Sequence, residues 1–159
     1  MAGDQARVSV LVAVEPQAAF RLFTEEIDRW WRRGLKYRLA GKRRGIIHLE
    51  PRVGGRLFES FDTPSGARVV ETGRVTAWEP PARLAFEWRP ANFAPAEKTE
   101  VEVLFQPGQS GTLVTVTHRG WSAIRPDHPA RHGLQGPAFI RQVGMWWADQ
   151  MSSLRESVG

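Results

Sequence analysis

Along residues 7–14 the side chains alternate: Val8, Val10, Val12 and Val14 share one face, the period of a half-buried strand, and β-branching suits them to it. The period then changes. After Pro16, well placed to open a helix, Ala19, Phe20, Phe23, Ile27 and Trp30 (or Trp31) recur at helical spacing, which predicts two short helices with a break near Thr24. Residues 34–45 are basic and without period, and read as a loop. Five strand-like segments follow, at 46–50, 55–61, 67–78, 83–88 and 98–106, separated by Pro51, Gly54-Gly55, Pro64-Ser65-Gly66, Pro80-Pro81 and the Pro/Ala-rich 89–97. A sixth, 112–118, follows Pro107-Gly108 as the hairpin partner of 98–106. Residues 119–134 read as irregular. From about Pro137, the positions Ile140, Val143, Trp147, Met151 and Leu154 fall at intervals of three and four and predict one long amphipathic helix.

The order is β, two short α, six β, long α. A long antiparallel sheet exposes an apolar face that a terminal amphipathic helix can cover, which makes the expected class α+β. A curved sheet wrapped round a single helix does not fill its interior evenly, so a cavity between them is expected. With 159 residues, one domain over 1–159 is the simplest division.

Charge changes this picture only locally. The formal net charge is +5, but eight basic residues (Arg29, Arg32, Arg33, Lys36, Arg38, Lys42, Arg43, Arg44) crowd 29–44 with no acid among them, leaving 14 basic against 17 acidic residues elsewhere. Such a patch steers anions to one place without making the whole surface a polyanion binder. Arginines interleaved with Trp30, Trp31 and Tyr37 can stack single-stranded bases, yet the footprint is small and a nucleic-acid role ranks last. The absence of cysteine excludes disulfides and thiolate chemistry. The apolar run Val10–Val14 is too short for a secretory signal, and no run approaches a membrane span, so a cytoplasmic location and no membrane partner are expected.

The stretches PQAAFRLFTEEIDRWW, LEPRVGGRLFE, ETGRVTAWEPPARLAFEW and TEVEVLFQPGQSGTLVTVTHRGW occur in this order. Across about residues 6–156 the chain resembles the bacterial proteins similar to the C-terminal domain of the Hsp90 ATPase activator, within the START/Bet v 1-like superfamily. The resemblance implies a helix-grip fold: about seven antiparallel strands, curved around a long C-terminal helix, with two short helices and a ligand cavity. For function it implies less, because this superfamily hosts carriers, cyclases, hydratases and a chaperone regulator. The eukaryotic activator also carries a separate N-terminal Hsp90-binding domain, for which this chain has no room, so a chaperone-modulating role is only the third reading.

In a helix-grip fold the strand faces toward Ile140, Val143 and Trp147 line the cavity. Val116 and His118 form one such row, Val103 and Phe105 a second, and Phe86 and Trp88 a third; Trp30, Trp31 and Trp121 complete the expected ligand-binding set. His118 is the polar tip of its row. It titrates near neutral pH and suits a general base or a group orienting a ligand carbonyl, against the plainer role of a strand-end histidine bonded to a carbonyl or water. Glu59 and Glu71 each lie on an apolar-sided row. With His118 they would make an acid/base set for cyclisation or hydration; the plainer role is a salt bridge to Arg56, Arg68 or Arg74. A bulge would invert either assignment. His118, His128 and His132 are too irregularly spaced for a metal site, Gly54-Gly55 precedes a strand rather than a helix, and no cofactor is expected. The leading expectation is a small-molecule-binding protein, monomer or homodimer, for an apolar or aromatic ligand with an anionic group drawn to the basic patch. The cyclase or hydratase reading is its main rival.

Overall fold

The computed structural model describes residues 4–39, 45–90 and 93–158. Strand β1 (Ala6–Val12) is followed by helices α1 (Pro16–Thr24) and α2 (Ile27–Trp30). Six strands come next: β2 (Gly45–Leu49), β3 (Arg56–Thr63), β4 (Gly66–Glu79), β5 (Arg83–Trp88), β6 (Thr99–Gly108) and β7 (Gly111–Arg119). Two short 3-10 turns, Trp121–Ala123 and Pro129–Arg131, lead into α3 (Gly136–Glu156). All seven strands pair antiparallel in the order β1-β7-β6-β5-β4-β3-β2, so the first strand lies beside the last. This is the expected helix-grip architecture.

Alternation along the strands decides which face is apolar. Val10, Val114, Val116, Val101, Val103, Phe105, Leu84 and Phe86 are all buried on the inner face. Helix α1 covers this row, with Phe20 and Phe23 packed on Phe105 at ring distances of 5.0 and 5.8 Å. Farther along, Trp147, Met151 and Leu154 of α3 close the same core. Phe86, Val103, Phe105 and Val116 are therefore core residues under the helices and do not line the cavity expected of them.

Two adjacent tryptophans are both buried, which a regular helix would forbid. The helix ends between them. Trp31 is already extended (φ −62°, ψ 118°), so its ring leaves on a different side from that of Trp30. Trp30 packs on Phe23 and donates its indole N–H to the Leu22 carbonyl at 3.0 Å, placing it in the core rather than at the cavity.

A bulge corrects the expectation for Glu71. In the β3–β4 ladder Leu57 faces Gly73 while Phe58 faces Glu71, so Thr72 is the extra residue and the alternation inverts there. Glu71 turns outward and binds Arg74 (Nη2 to Oε1, 2.9 Å), one of the salt-bridge partners the sequence offered. Gly73 fits the bulge because a Cβ there would collide with the Glu87 carbonyl.

The basic segment is less solvated than its composition implies. Arg38 is buried, with Nη1 2.6 Å from Asp28 Oδ1 and further hydrogen bonds to the carbonyls of Arg32, Asp28, Gly45 and Trp31. Asp28 also accepts the Ile47 N–H at 2.9 Å. Burial opposes its charge, yet Ile47, Arg38 and Arg33 together hold its pKa below the ordinary carboxylate value. One guanidinium thus ties the end of α2 to the start of β2.

Candidate ligand pocket

Beyond the reach of α1, at the Trp88, Thr99 and His118 ends of β5, β6 and β7, the sheet and α3 diverge around a pocket of about 800 Å³. A pocket of this size accommodates a drug-sized molecule. Four indoles form its aromatic wall. Trp31 stacks on Trp88 at 6.1 Å and meets Trp146 and Trp147 edge-on at 5.6 and 6.1 Å, and Trp146 and Trp147 pack at 5.0 Å. Their N–H groups are mostly spoken for: Trp31 donates to the Tyr37 carbonyl, Trp146 to the Lys36 carbonyl and Trp147 to His118. At the rim, Leu35 and Leu39 are 84 % and 50 % exposed.

His118 lies at the inner end, fully buried. An indole nitrogen only donates, so His118 Nδ1 accepts from Trp147 Nε1 at 3.0 Å. The ring proton therefore sits on Nε2, which donates to Thr99 Oγ1 at 2.7 Å. Burial drives the pKa of His118 down to about 3, consistent with this neutral tautomer. Both ring nitrogens are engaged by side chains, a more specific arrangement than the carbonyl or water expected of a strand-end histidine.

Glu59 does face inward, as its row implied. It is buried, lines the pocket and accepts the Leu39 N–H at 2.8 Å. It stands on β3, however, and His118 on β7. Four strand spacings at about 4.8 Å separate them by roughly 19 Å along the sheet. With Glu71 outside, the three candidate acid/base groups do not converge.

Of the expected ligand-binding residues, Trp31, Trp88, His118, Trp121, Val143 and Trp147 line the pocket. Ile140 packs beside it, against the second core cluster of Phe93, Trp121, Ile124 and Phe139. Sequence reasoning missed Tyr37, Phe93, Phe139 and Gln142, all on the lining. Phe139, Gln142 and Trp146 recur at three and four, so the helix carried that signal on the row one residue before the stripe that was read.

The segment 119–134 is irregular but pinned. Arg131 donates to the carbonyls of Trp121, Ile124 and Arg125, and its guanidinium lies 4.8 Å from the Phe139 ring centre. His128 accepts the Ala130 N–H on Nδ1 and faces Glu97 at 3.4 Å through Nε2. The basic patch is similarly engaged: Arg29 pairs with Glu26, Arg33 and Arg38 with Asp28, and Lys36 with Asp149. Lys42, Arg43 and Arg44 lie outside the described residues. Among the described residues no helix is long and apolar enough to cross a membrane.

A curved antiparallel sheet gripping one long helix, with a pocket where they part, defines a helix-grip protein. Residues 13–137 match the family described as Activator of Hsp90 ATPase homolog 1-like protein, and the chain belongs to that family. Solved structures of similar fold include protein NE0264 from Nitrosomonas europaea (18 % identity, TM-score 0.64, covering 99 % of this chain and 96 % of that one). Protein MLL2253 from Mesorhizobium loti is 21 % identical with a TM-score of 0.63, covering 97 % and 96 %. The Aha1 dimer from Colwellia psychrerythraea is 16 % identical with a TM-score of 0.61, covering 97 % and 95 %. At these identities the likeness is one of fold. Among curated proteins none matches the chain.

Proposed function

We propose that this protein binds a planar, largely apolar aromatic small molecule in the pocket between α3 and the Trp88 end of the sheet. The observation that carries this reading is the aromatic wall of Trp31, Trp88, Trp146 and Trp147 around a space of about 800 Å³. Aromatic faces meeting in offset and edge-on geometry suit a flat ring system inserted among them. The cyclase or hydratase reading has less support. A general base needs an accessible lone pair and a pKa near the working pH. His118 Nδ1 is occupied by Trp147, its pKa lies about 3, and Glu59 stands four strands away in the sheet. The anionic group expected of the ligand also loses its argument, since the described cations nearest the pocket are already paired.

Titration with naphthalene compounds, followed by tryptophan fluorescence and by native mass spectrometry, tests the proposal. Saturable one-to-one binding is expected, weakened severalfold by Trp146→Ala. An absence of saturable binding up to the solubility limit would sink it.

A further inference from the structure

Three buried side-chain polar atoms lack a hydrogen-bond partner among the described residues: Trp121 Nε1, Gln142 Oε1 and Gln150 Nε2. Two of the three belong to pocket-lining residues; Gln150 does not line it, and its Oε1 already accepts the Arg32 N–H. Native structures rarely leave such atoms unmatched. Four other indoles, those of Trp30, Trp31, Trp146 and Trp147, all donate to an acceptor within 3.1 Å. Trp121 is 5 % exposed, packed on His118 at 4.8 Å and edge-on against Phe139 at 4.9 Å. Gln142 follows Phe139 by three residues on α3, so its Cβ lies about 5–6 Å from that of Phe139. The residues carrying the two orphan atoms therefore both adjoin Phe139 on the pocket lining, one offering a pure donor and the other an acceptor.

We propose that Trp121 Nε1–H and Gln142 Oε1 are the specificity-determining polar contacts of this pocket, and that its ligand is an aromatic compound carrying both a carbonyl oxygen and a separate O–H or N–H donor. The inference rests on the aromatic-pocket reading and adds its polar half. A hydrocarbon would leave both protein groups buried and unpaired. A ligand with a carbonyl takes the indole proton, and one with a hydroxyl gives its proton to the amide oxygen. His118 contributes here as a positioning residue: held between Thr99 and Trp147, it presents a fixed ring against which Trp121 is seated.

Four matched probes separate the parts: 6-acetyl-2-naphthol (both groups), 2-acetylnaphthalene (carbonyl only), 2-naphthol (hydroxyl only) and 2-ethylnaphthalene (neither). Affinities are measured by isothermal titration calorimetry on the full chain and on Trp121→Phe and Gln142→Met, each first shown to retain the wild-type circular dichroism spectrum and melting behaviour. In the wild type each polar group should tighten binding by about threefold to tenfold over 2-ethylnaphthalene, the usual range for a net neutral hydrogen bond. Trp121→Phe should erase the advantage of the acetyl group and spare that of the hydroxyl, and Gln142→Met should do the reverse. Equal affinity of all four probes, or a variant effect on the wrong group, overturns the polar assignment while leaving the aromatic pocket intact. Failure of every probe, 2-ethylnaphthalene included, overturns the pocket reading and the assignment with it. If Trp121→Phe does not fold, Gln142→Met and the wild-type probe series still decide the amide half and the presence of a carbonyl preference.

Discussion

Two buried polar clusters border the same pocket and are built to opposite rules. At the mouth, Arg38 and Asp28 bring charge into the interior, and the guanidinium is surrounded by a carboxylate and four carbonyls. At the inner end, His118, Thr99 and Trp147 are neutral and mutually bonded, while Trp121 Nε1 and Gln142 Oε1 have no partner among the described residues. The first cluster is complete within the chain, and its work is to hold α2 against β2. The second is incomplete among the described residues, and the proposed ligand contacts rest on that difference. Satisfaction of buried polar groups, more than their charge, separates the structural site from the one proposed to recognise a ligand.

The sharpest way to break this contrast is Arg38→Met. Removing one partner of a buried pair strands the other, and the loss should be roughly 3–5 kcal/mol of unfolding free energy, tempered because Asp28 is about one-third exposed. Urea denaturation measures it. A loss below about 1 kcal/mol would mean that the mouth cluster is not structural, and Arg38 would become a candidate ligand contact. Trp147→Phe addresses the inner cluster. It leaves His118 Nδ1 buried without its donor and should cost about 1–3 kcal/mol. In the wild type, nitrogen NMR of His118 should show the Nε2-protonated tautomer; a proton on Nδ1 would dissolve the network as described.

The next effect is a pH dependence. His118 has a folded-state pKa near 3, below its unfolded value of about 6.5, so its contribution to stability is fully present above pH 6.5 and is lost as pH falls toward 3. Between pH 6.5 and 5 most carboxylates remain ionised, and this one group should remove about 1.5 kcal/mol. His118→Gln should abolish that slope over this window while other acid-sensitive pairs, Asp28 with Arg38 included, titrate as before. Matching slopes in the two proteins would show that His118 is charged in the native state and available for proton transfer, which would revive the enzymatic reading.

What the sequence made legible was whatever depends on neighbours a few residues away. Valine alternation in β1, the proline and glycine stops, and the stripe of Trp147, Met151 and Leu154 led to the right elements in the right order. The pocket was legible only in outline. Rows of Phe86, Val103, Phe105 and Val116 correctly faced inward, yet periodicity does not say how far along a strand the helices seal the sheet; two residues farther, at Trp88 and His118, the same rows reach the pocket. The partners of His118 lie 19 and 29 positions away, and those of Arg38 are mostly backbone carbonyls, so neither network has a local signature. A charge-rich segment consequently read as an anion-steering patch when its central arginine is buried.

The smallest expected effect tests the lesson of Glu71, which alternation alone turned inward. Thr72 adds one residue to β4, and the ladder inverts between Glu71 and Gly73. Glu71 and Arg74 then form an exposed pair, with 40 % and 54 % of their side-chain surfaces open to solvent. Such pairs contribute about 0–1 kcal/mol. Glu71→Gln should therefore change stability by no more than about 0.5 kcal/mol and leave the affinity for every naphthalene probe unaltered, whereas Glu59→Gln disturbs a buried carboxylate holding the Leu39 N–H and should be felt by more. Equal losses for the two substitutions would place both carboxylates on one face of the sheet and remove the bulge from the account of how this pocket is lined.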